Sequence, residues 1–297
     1  MLHRRACLRS LAAAGVLATV ARSSLAADSP QRLIYVFTKP LQHLSFSQAA
    51  DYLQAWDVGG VEATVRSGGW IEPMNAPDQL PALVDELRRV DRQGMILTSD
   101  INQADHPDVA RVLEVAAPLG VRYFRMAYYK YDFDKPILPQ LDGFARQAQD
   151  LAKVCQQLKM TGLYQNHAGA AHVGAPLWDL MEVLQGIAPS QIAVALDIRH
   201  ATIEATESWR SGYARLRDQV GAIFAKDAVF ANGKIDDGPL GRSQKGKQLF
   251  QLIRADHPTI PISLHMEYLD HRKADLAAQR LEAIATDIQT LKGWLAE

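Results

Sequence analysis

Residues 160–167 read Met-Thr-Gly-Leu-Tyr-Gln-Asn-His, and residues 192–200 read Ile-Ala-Val-Ala-Leu-Asp-Ile-Arg-His. Each is a short apolar run that ends abruptly in polar, chemically capable side chains. A strand buried on both faces reads this way when its C-terminal end opens onto a loop. The same pattern recurs along the chain. Strands are expected over 32–38, 60–65, 95–99, 121–126, 160–166, 192–197, 222–226 and 260–267. Between them the period changes. Residues 78–89 place Leu80, Leu83, Val84 and Leu87 on one helical stripe, and 136–158 and 270–295 behave alike. Gly94, Gly120 and Gly221 each precede a strand and are expected to cap helices. Strand and helix alternating eight times predicts an α/β chain folded as a single (β/α)8 TIM barrel. No GxGxxG follows the first strand, which removes support for a dinucleotide fold.

The first residues depart from this pattern. His3-Arg4-Arg5 precedes Leu8-Arg9, a small and apolar run covers 10–20, and Ser24-Leu25-Ala26-Ala27 ends in small residues. A positive start, an apolar middle and a small-residue end make an export signal. Residues 1–27 are therefore expected to be cleaved, and 31–297 to form the barrel. The arginine pair fits the twin-arginine type, which would put the mature protein in a bacterial periplasm. The run is shorter than the ~20 residues a membrane span needs. Cys155 is the one cysteine outside the signal, so no intrachain disulfide is expected. A formal net charge of −1 argues against a nucleic-acid partner.

A barrel of this kind keeps its active site where strands end and loops begin. Those ends carry Glu62 and Arg66, then Asp100 and Asn102, then Arg125, Tyr128, Tyr129 and Lys130. The fifth to eighth bring Gln165, Asn166 and His167, then Asp197, Arg199 and His200, then Lys226 and Asp227, then His265 and Glu267. Singly, such residues usually cap helices or satisfy local hydrogen bonds. As a ring, Asp, His and Glu suit a divalent ion, and Lys and Arg suit a developing oxyanion. Other clusters read as scaffold. Asp132, Asp134 and Lys135 make a solvated loop, and Asp85-Glu86 with Arg88-Arg89 an exposed charged helix face. Gly238-Pro239-Leu240-Gly241 lacks the pattern of a phosphate-binding P-loop and reads as a plain active-site loop. Trp70 and Trp178 fit a sugar-stacking platform and a core position equally well.

Several segments taken together resemble a known family. They are GGVEATVRSGGWIEP at 59–73, RMAYYKYD at 125–132, GLYQNHAGAAHVGAPLWDL at 162–180, ALDIRHAT at 195–202, AKD at 225–227 and ISLHMEYL at 262–269. The set resembles the sugar phosphate isomerase/epimerase family with the xylose-isomerase-like TIM barrel, and the resemblance covers most of the mature chain. It implies metal-assisted proton transfer on a sugar. A divalent metal (Mn, Mg, Zn or Co) would be held by carboxylates and a His from strands five to eight. Carried onto this chain, it makes Asp197 a metal ligand and His200 a neighbouring substrate contact. It places His167 as a ligand or base, and leaves His265 or Glu267 as the last ligand or base. The implied metal set is His167, Asp197 and His265. Substrate contacts are expected from Arg66, Arg125, Tyr128, Asn166 and Trp178. Two positions depart from the family pattern. Phe224 stands where a His is common, and the fifth strand offers no evident Glu.

The expected reaction is proton abstraction beside a carbonyl on a non-phosphorylated sugar or oxidised glycoside. Glu267 or Glu62 would be the base, and His200 would return the proton. A metal, or failing that Lys226 and Arg125, would stabilise the enediolate. Epimerisation, isomerisation and β-elimination of a 3-keto-glycoside share that intermediate. A non-catalytic sugar-binding barrel is the alternative from another class. A metal-dependent phosphodiesterase on the same barrel would need a basic groove, which the near-neutral charge does not supply.

Overall fold

The computed structural model describes residues 30–297, and the apolar runs of that span are strands. The expected export signal lies outside the described residues. In chain order the strands are β1 (Ile34–Phe37), β2 (Gly60–Thr64), β3 (Gly94–Thr98), β4 (Tyr123–Arg125) and β5 (Thr161–Gln165). They continue with β6 (Ile192–Asp197), β7 (Val220–Ala225), β8 (Asp227–Ala231), β9 (Lys234–Gly238) and β10 (Ile262–Leu264). The helices are α1 (Phe46–Ala55), α2 (Ala76–Arg89), α3 (Glu114–Ala116), α4 (Ile137–Leu158) and α5 (Trp178–Val183). After them come α6 (Ile198–Ala205), α7 (Trp209–Leu216), α8 (Gln244–Asp256) and α9 (Ala277–Ala296).

Strands β1 to β7 and β10 pair in parallel and close in the order β1-β10-β7-β6-β5-β4-β3-β2. This is the expected barrel: most strands are shorter than expected, β6 has the expected bounds, and β3 and β7 begin one and two residues earlier. The last helix starts later than expected because a 3-10 turn, Ala274–Leu276, precedes it. Strands β8 and β9 are an addition that the apolar pattern did not predict. They form an antiparallel arm directly after β7. Asn232 and Gly233 turn it, both at positive φ, as a two-residue hairpin turn requires.

Two of the three expected glycine caps have another use. Gly120 is left-handed at φ 97°, as a cap should be. Gly94 instead begins β3, where a Cβ would lie 2.2 Å from Cε1 of Tyr35. Gly221 lies within β7, where a Cβ would lie 2.5 Å from that of Ala193. Their missing side chains let neighbours approach inside the barrel.

The barrel interior is layered, as side chains from alternate strands require. A lower apolar layer packs Ile96, Leu163, Ala193, Ala195, Ala222 and Phe224 against Tyr35 and Tyr123. A separate and larger apolar shell fills the space between strands and helices. Toward the C-terminal ends of the strands the buried residues turn polar, among them Glu62, Thr98, Arg125, Gln165, Asp197 and His265. Cys155 is buried and unpaired. Among the described residues no helix is long and apolar enough to cross a membrane.

Candidate active site

The polar layer has a floor, Glu62 on β2, whose side chain is fully buried. Its carboxylate accepts hydrogen bonds from Ser263 Oγ at 2.5 Å, Thr98 Oγ1 at 2.5 Å and His265 Nε2 at 2.7 Å. Arg125 Nε lies 3.7 Å away. Burial alone would raise the Glu62 pKa. His265, Arg125 and Ser263 outweigh it and hold the carboxyl below its usual range. For His265 the balance has the opposite sign: burial lowers the pKa, and Glu62 with Glu267 raises it above the usual value. The pair is ionised. A carboxylate sealed from the cavity with its lone pairs engaged is a poor base, which corrects that expectation for Glu62. It orients His265 instead. The His265 ring stacks on Phe37 at 4.3 Å and meets Phe224 at 4.5 Å between centroids. Phe224 therefore serves as an aromatic wall for the imidazolium.

Above the floor, Lys226 Nζ lies 3.2 Å from Asp197 Oδ2 and 3.1 Å from Glu267 Oε2. Glu267 Oε1 also accepts from Lys39 Nζ at 2.8 Å. Burial disfavours the Lys226 charge, but the two carboxylates outweigh it and raise its pKa. Burial likewise works against Glu267, yet Lys226, His265 and Lys39 hold its carboxyl well below the usual range. Glu267 is thus a clamp for cations, and the engagement of both its oxygens by ammonium groups counts against the expected role as base.

Asp197 ends β6 and begins α6, so its two oxygens do different work. Oδ1 caps the helix by accepting from the His200 backbone N–H at 2.9 Å. Oδ2 faces Lys226 and accepts from Gln165 Nε2 at 2.7 Å. Burial opposes ionisation of Asp197, but its contacts with His200 and Lys226 bring the pKa down to about 2. Gln165 continues the network, its Oε1 accepting from Arg125 at 2.7 Å and Tyr128 at 2.6 Å. Asn166 uses both ends of its amide on the Asp197 backbone, at 2.7 and 3.2 Å. It fixes the junction of β5 and β6, which corrects its expected role as a substrate contact.

Two histidines stand beside this network with rings 4.1 Å apart. The His167 Nδ1 lies 2.7 Å from the Ala168 carbonyl, so it donates, and Nε2 carries the lone pair. His200 is the reverse. Its Nδ1 faces Arg199 Nη1 at 3.0 Å and must accept, so the proton of the neutral ring sits on Nε2. That Nε2 is buried without a hydrogen-bond partner, 3.6 Å from Asp197 Oδ2. Burial lowers both pKa values, His167 to about 4 and His200 to about 2. Both rings are neutral near pH 7, one offering a lone pair and the other a proton.

His167, His200, Lys226, His265 and Glu267 line one cavity of about 270 Å³ at the barrel mouth, with Arg199. A larger groove of about 660 Å³ lies between α6, the β8–β9 arm and α8, and contains none of the strand-end groups. Arg125 and Tyr128 enter the site through Gln165. Arg66 stands near them, partly exposed, among Arg125, Asp100 and Tyr128. Trp178 is not at the site. It is exposed on α5 beside Arg215 and lines a different groove with Ser208 and Gly212. Trp70 is a packing residue, its Nε1 donating to the Leu44 carbonyl at 3.0 Å and its ring edge-on to Phe46.

The backbone amides near Gly238–Gly241 are occupied by the chain's own carboxylates. Leu240 N donates to Asp287 Oδ1, and Gly241 N and Ser243 N donate to Asp227 Oδ2. This leaves no phosphate cradle and makes Asp227 a loop clamp. The charged helix face and the loop at 132–135 form the expected exposed pairs, such as Arg89 with Glu86 and Lys135 with Asp132. Lys39 and Asp237 were missed in the sequence. Lys39 follows β1 between Thr38 and Pro40, with no His, Asp or Glu beside it to mark the strand end. Asp237 lies on the unforeseen arm and pairs with Arg199 at 2.7 Å.

The implied metal set is not assembled. His265 Nε2 is spent on Glu62 and Asp197 Oδ2 on Lys226 and Gln165, which leaves the His167 Nε2 lone pair as the one free donor of the three. Among the described residues no group of three His, Cys, Asp or Glu side chains could hold a metal ion. The residues present do not fit a divalent ion.

Residues 95–293 match the family model described as xylose isomerase-like TIM barrel. No curated protein matches the sequence. A xylose isomerase domain containing protein from Salmonella typhimurium LT2 has a TM-score of 0.66 at 15% identity, covering 91% of this chain and 98% of that one. The apo 3-keto-D-glucoside 4-epimerase of E. coli has a TM-score of 0.63 at 14% identity, covering 86% and 98%. A xylose isomerase-like TIM barrel protein from Mycobacterium smegmatis, in complex with magnesium, has a TM-score of 0.59 at 12% identity, covering 88% and 97%. At these identities the likeness is one of fold.

Proposed function

The chain belongs to the xylose isomerase-like TIM barrel family, and from that premise we propose that its barrel mouth removes a proton beside a carbonyl on a non-phosphorylated sugar or oxidised glycoside. The observation that carries this reading is the opposed tautomers of His167 and His200 beside the Lys226 ammonium. The His167 Nε2 lone pair takes the carbon-bound proton. The electron pair moves into the carbonyl, whose oxygen becomes the enediolate oxygen, and Lys226 stabilises that charge. The burial that depresses the His167 pKa keeps the ring in its base form at neutral pH. His200 Nε2–H supplies a proton to a neighbouring oxygen. Arg125, Tyr128 and Gln165 hold Asp197 and Lys226 in register, and Glu267 clamps Lys226 from the other side.

The paired histidines also support a second outcome. A base and a proton donor on adjacent rings suit loss of a glycosidic oxygen from a 3-keto-glycoside. The carbanion formed next to the ketone expels that oxygen, which takes the His200 proton, and the proton held by His167 then returns to the neighbouring His200 ring. Isomerisation and epimerisation would use the same enediolate and return the proton to carbon. The export signal expected at 1–27 directs the proposal to free sugars and glycosides of the periplasm, since sugar phosphates are mainly cytoplasmic.

The test is deuterium exchange by the purified mature protein, given ketoses and 3-keto-glycosides in deuterated water. Incorporation at a carbon beside the carbonyl is expected, with its loss in His167→Gln. No incorporation into any of these substrates, with sugar binding intact, would reject the reading in favour of a sugar-binding barrel without turnover.

A further inference from the structure

Four neighbouring strands, β5, β6, β7 and β10, bring Gln165, Asp197, Phe224 and His265 to the wall of the site. Only Asp197 among these is a carboxylate. Gln165 contributes an amide and Phe224 a ring, and His265 is turned onto Glu62. The next carboxylate, Glu267, lies beyond β10. The space between Asp197 and Glu267 holds the Lys226 ammonium, at 3.2 and 3.1 Å. Gln165 Nε2 also points a hydrogen at Asp197 Oδ2, the same oxygen that Lys226 faces. An N–H aimed at that oxygen repels any further cation there.

The fixed charges agree. Three carboxylates, Glu62, Asp197 and Glu267, already face four cations, Arg125, Lys226, Lys39 and the ionised His265, each within ion-pairing distance of one of them. A divalent ion would add two further uncompensated positive charges to a buried cluster, which is strongly unfavourable. An ammonium has three hydrogens. Two engage Asp197 and Glu267, and Lys226 also lines the cavity, so the third remains for a substrate oxygen.

We propose that this site works without a metal ion, and that Lys226, held between Asp197 and Glu267, is the electrophile that binds the anionic oxygen of the reacting sugar. What Lys226 does to substrate rests on the proton-transfer reading. Its occupation of the cation position does not.

The experiment has two arms that need no turnover. Protein purified without chelator is subjected to elemental analysis, and Mn(II) is titrated and followed by electron paramagnetic resonance. No stoichiometric metal is expected, and no saturable Mn(II) binding below about 1 mM. The Gln165→Glu/Lys226→Met double variant removes the ammonium and adds a carboxylate beside Asp197. Once shown by circular dichroism to be folded, it is expected to bind Mn(II) about 100-fold more tightly than the parent. One equivalent of tightly held metal in the parent overturns the proposal, and so does a folded double variant with no gain. Should the double variant not fold, the metal content of the parent decides. Metal-free protein that fails the deuterium-exchange test rejects the proton-transfer reading alone.

Discussion

His265 Nε2 lies 2.7 Å from Glu62 Oε2, and Glu62 is sealed beneath the cavity that His265 lines. The two residues are 203 apart in sequence, so closure of the barrel makes this ion pair. His265 titrates above 6.5 in the folded protein, so its contribution is full below 6.5 and is lost as pH rises through the raised value. Glu62 titrates below 4.5, so its contribution is full above 4.5 and is lost as pH falls through the lowered value. The pair is strongest between those limits. Glu62→Gln should cost about 3 kcal/mol there, as breaking a buried pair does. Urea unfolding in a pH series upward from about 5.5 checks it, with the loss expected to shrink once pH has passed the raised His265 value. A loss that is already small at about pH 5.5 would mean that the pair is not ionised.

His167 as the base sets the acid limb of the reaction. Exchange should persist well below the ordinary histidine value of 6.5 and fall only as pH approaches about 4. His167→Asn should lower kcat/KM about 100-fold or more while leaving the thermal midpoint nearly unchanged. A limb near 6.5 would point to a different group.

Phe224 is fully buried, joins the lower apolar layer and packs against His265. Phe224→Ala leaves a cavity in the barrel centre and should cost about 3–5 kcal/mol. The shift in the urea midpoint reports it. A loss below about 1 kcal/mol would show that the layer collapses to refill the space.

Trp178 is 55% exposed and stands apart from the cavity. Trp178→Ala should change stability by no more than about 0.5 kcal/mol. Sugar affinity, measured by calorimetry, should be unaltered. A marked loss of affinity would return Trp178 to the substrate's path.

Much of the barrel is legible in the chain because burial on both faces leaves a local signature. The run at 192–196 is apolar throughout and lies between turn-forming residues and a polar end, so it reads as a strand without reference to partners. The β8–β9 arm escaped because its residues alternate weakly and β9 is largely exposed, reading Lys-Ile-Asp-Asp-Gly. Its Asn232-Gly233 turn was the available clue. Gly94 and Gly221 were assigned to caps because a glycine's position in the chain does not say which side chain presses on it.

For the site, the sequence by itself determined which groups reach the mouth of the barrel. Strand ends deliver Glu62, Arg125, Asp197, His200, Lys226 and His265 there whatever their partners. Only the tertiary structure decided what each group does. Glu62 became a floor because Ser263, Thr98 and His265 consume its oxygens. Asp197 and Glu267 became the two jaws around Lys226. The tautomers of His167 and His200 follow from a carbonyl at Ala168 and a guanidinium at Arg199. Periodicity is a property of neighbours in the chain and survives in the sequence. Proton affinity and ligand capacity depend on which charges lie within a few ångströms, and closing the barrel sets those distances.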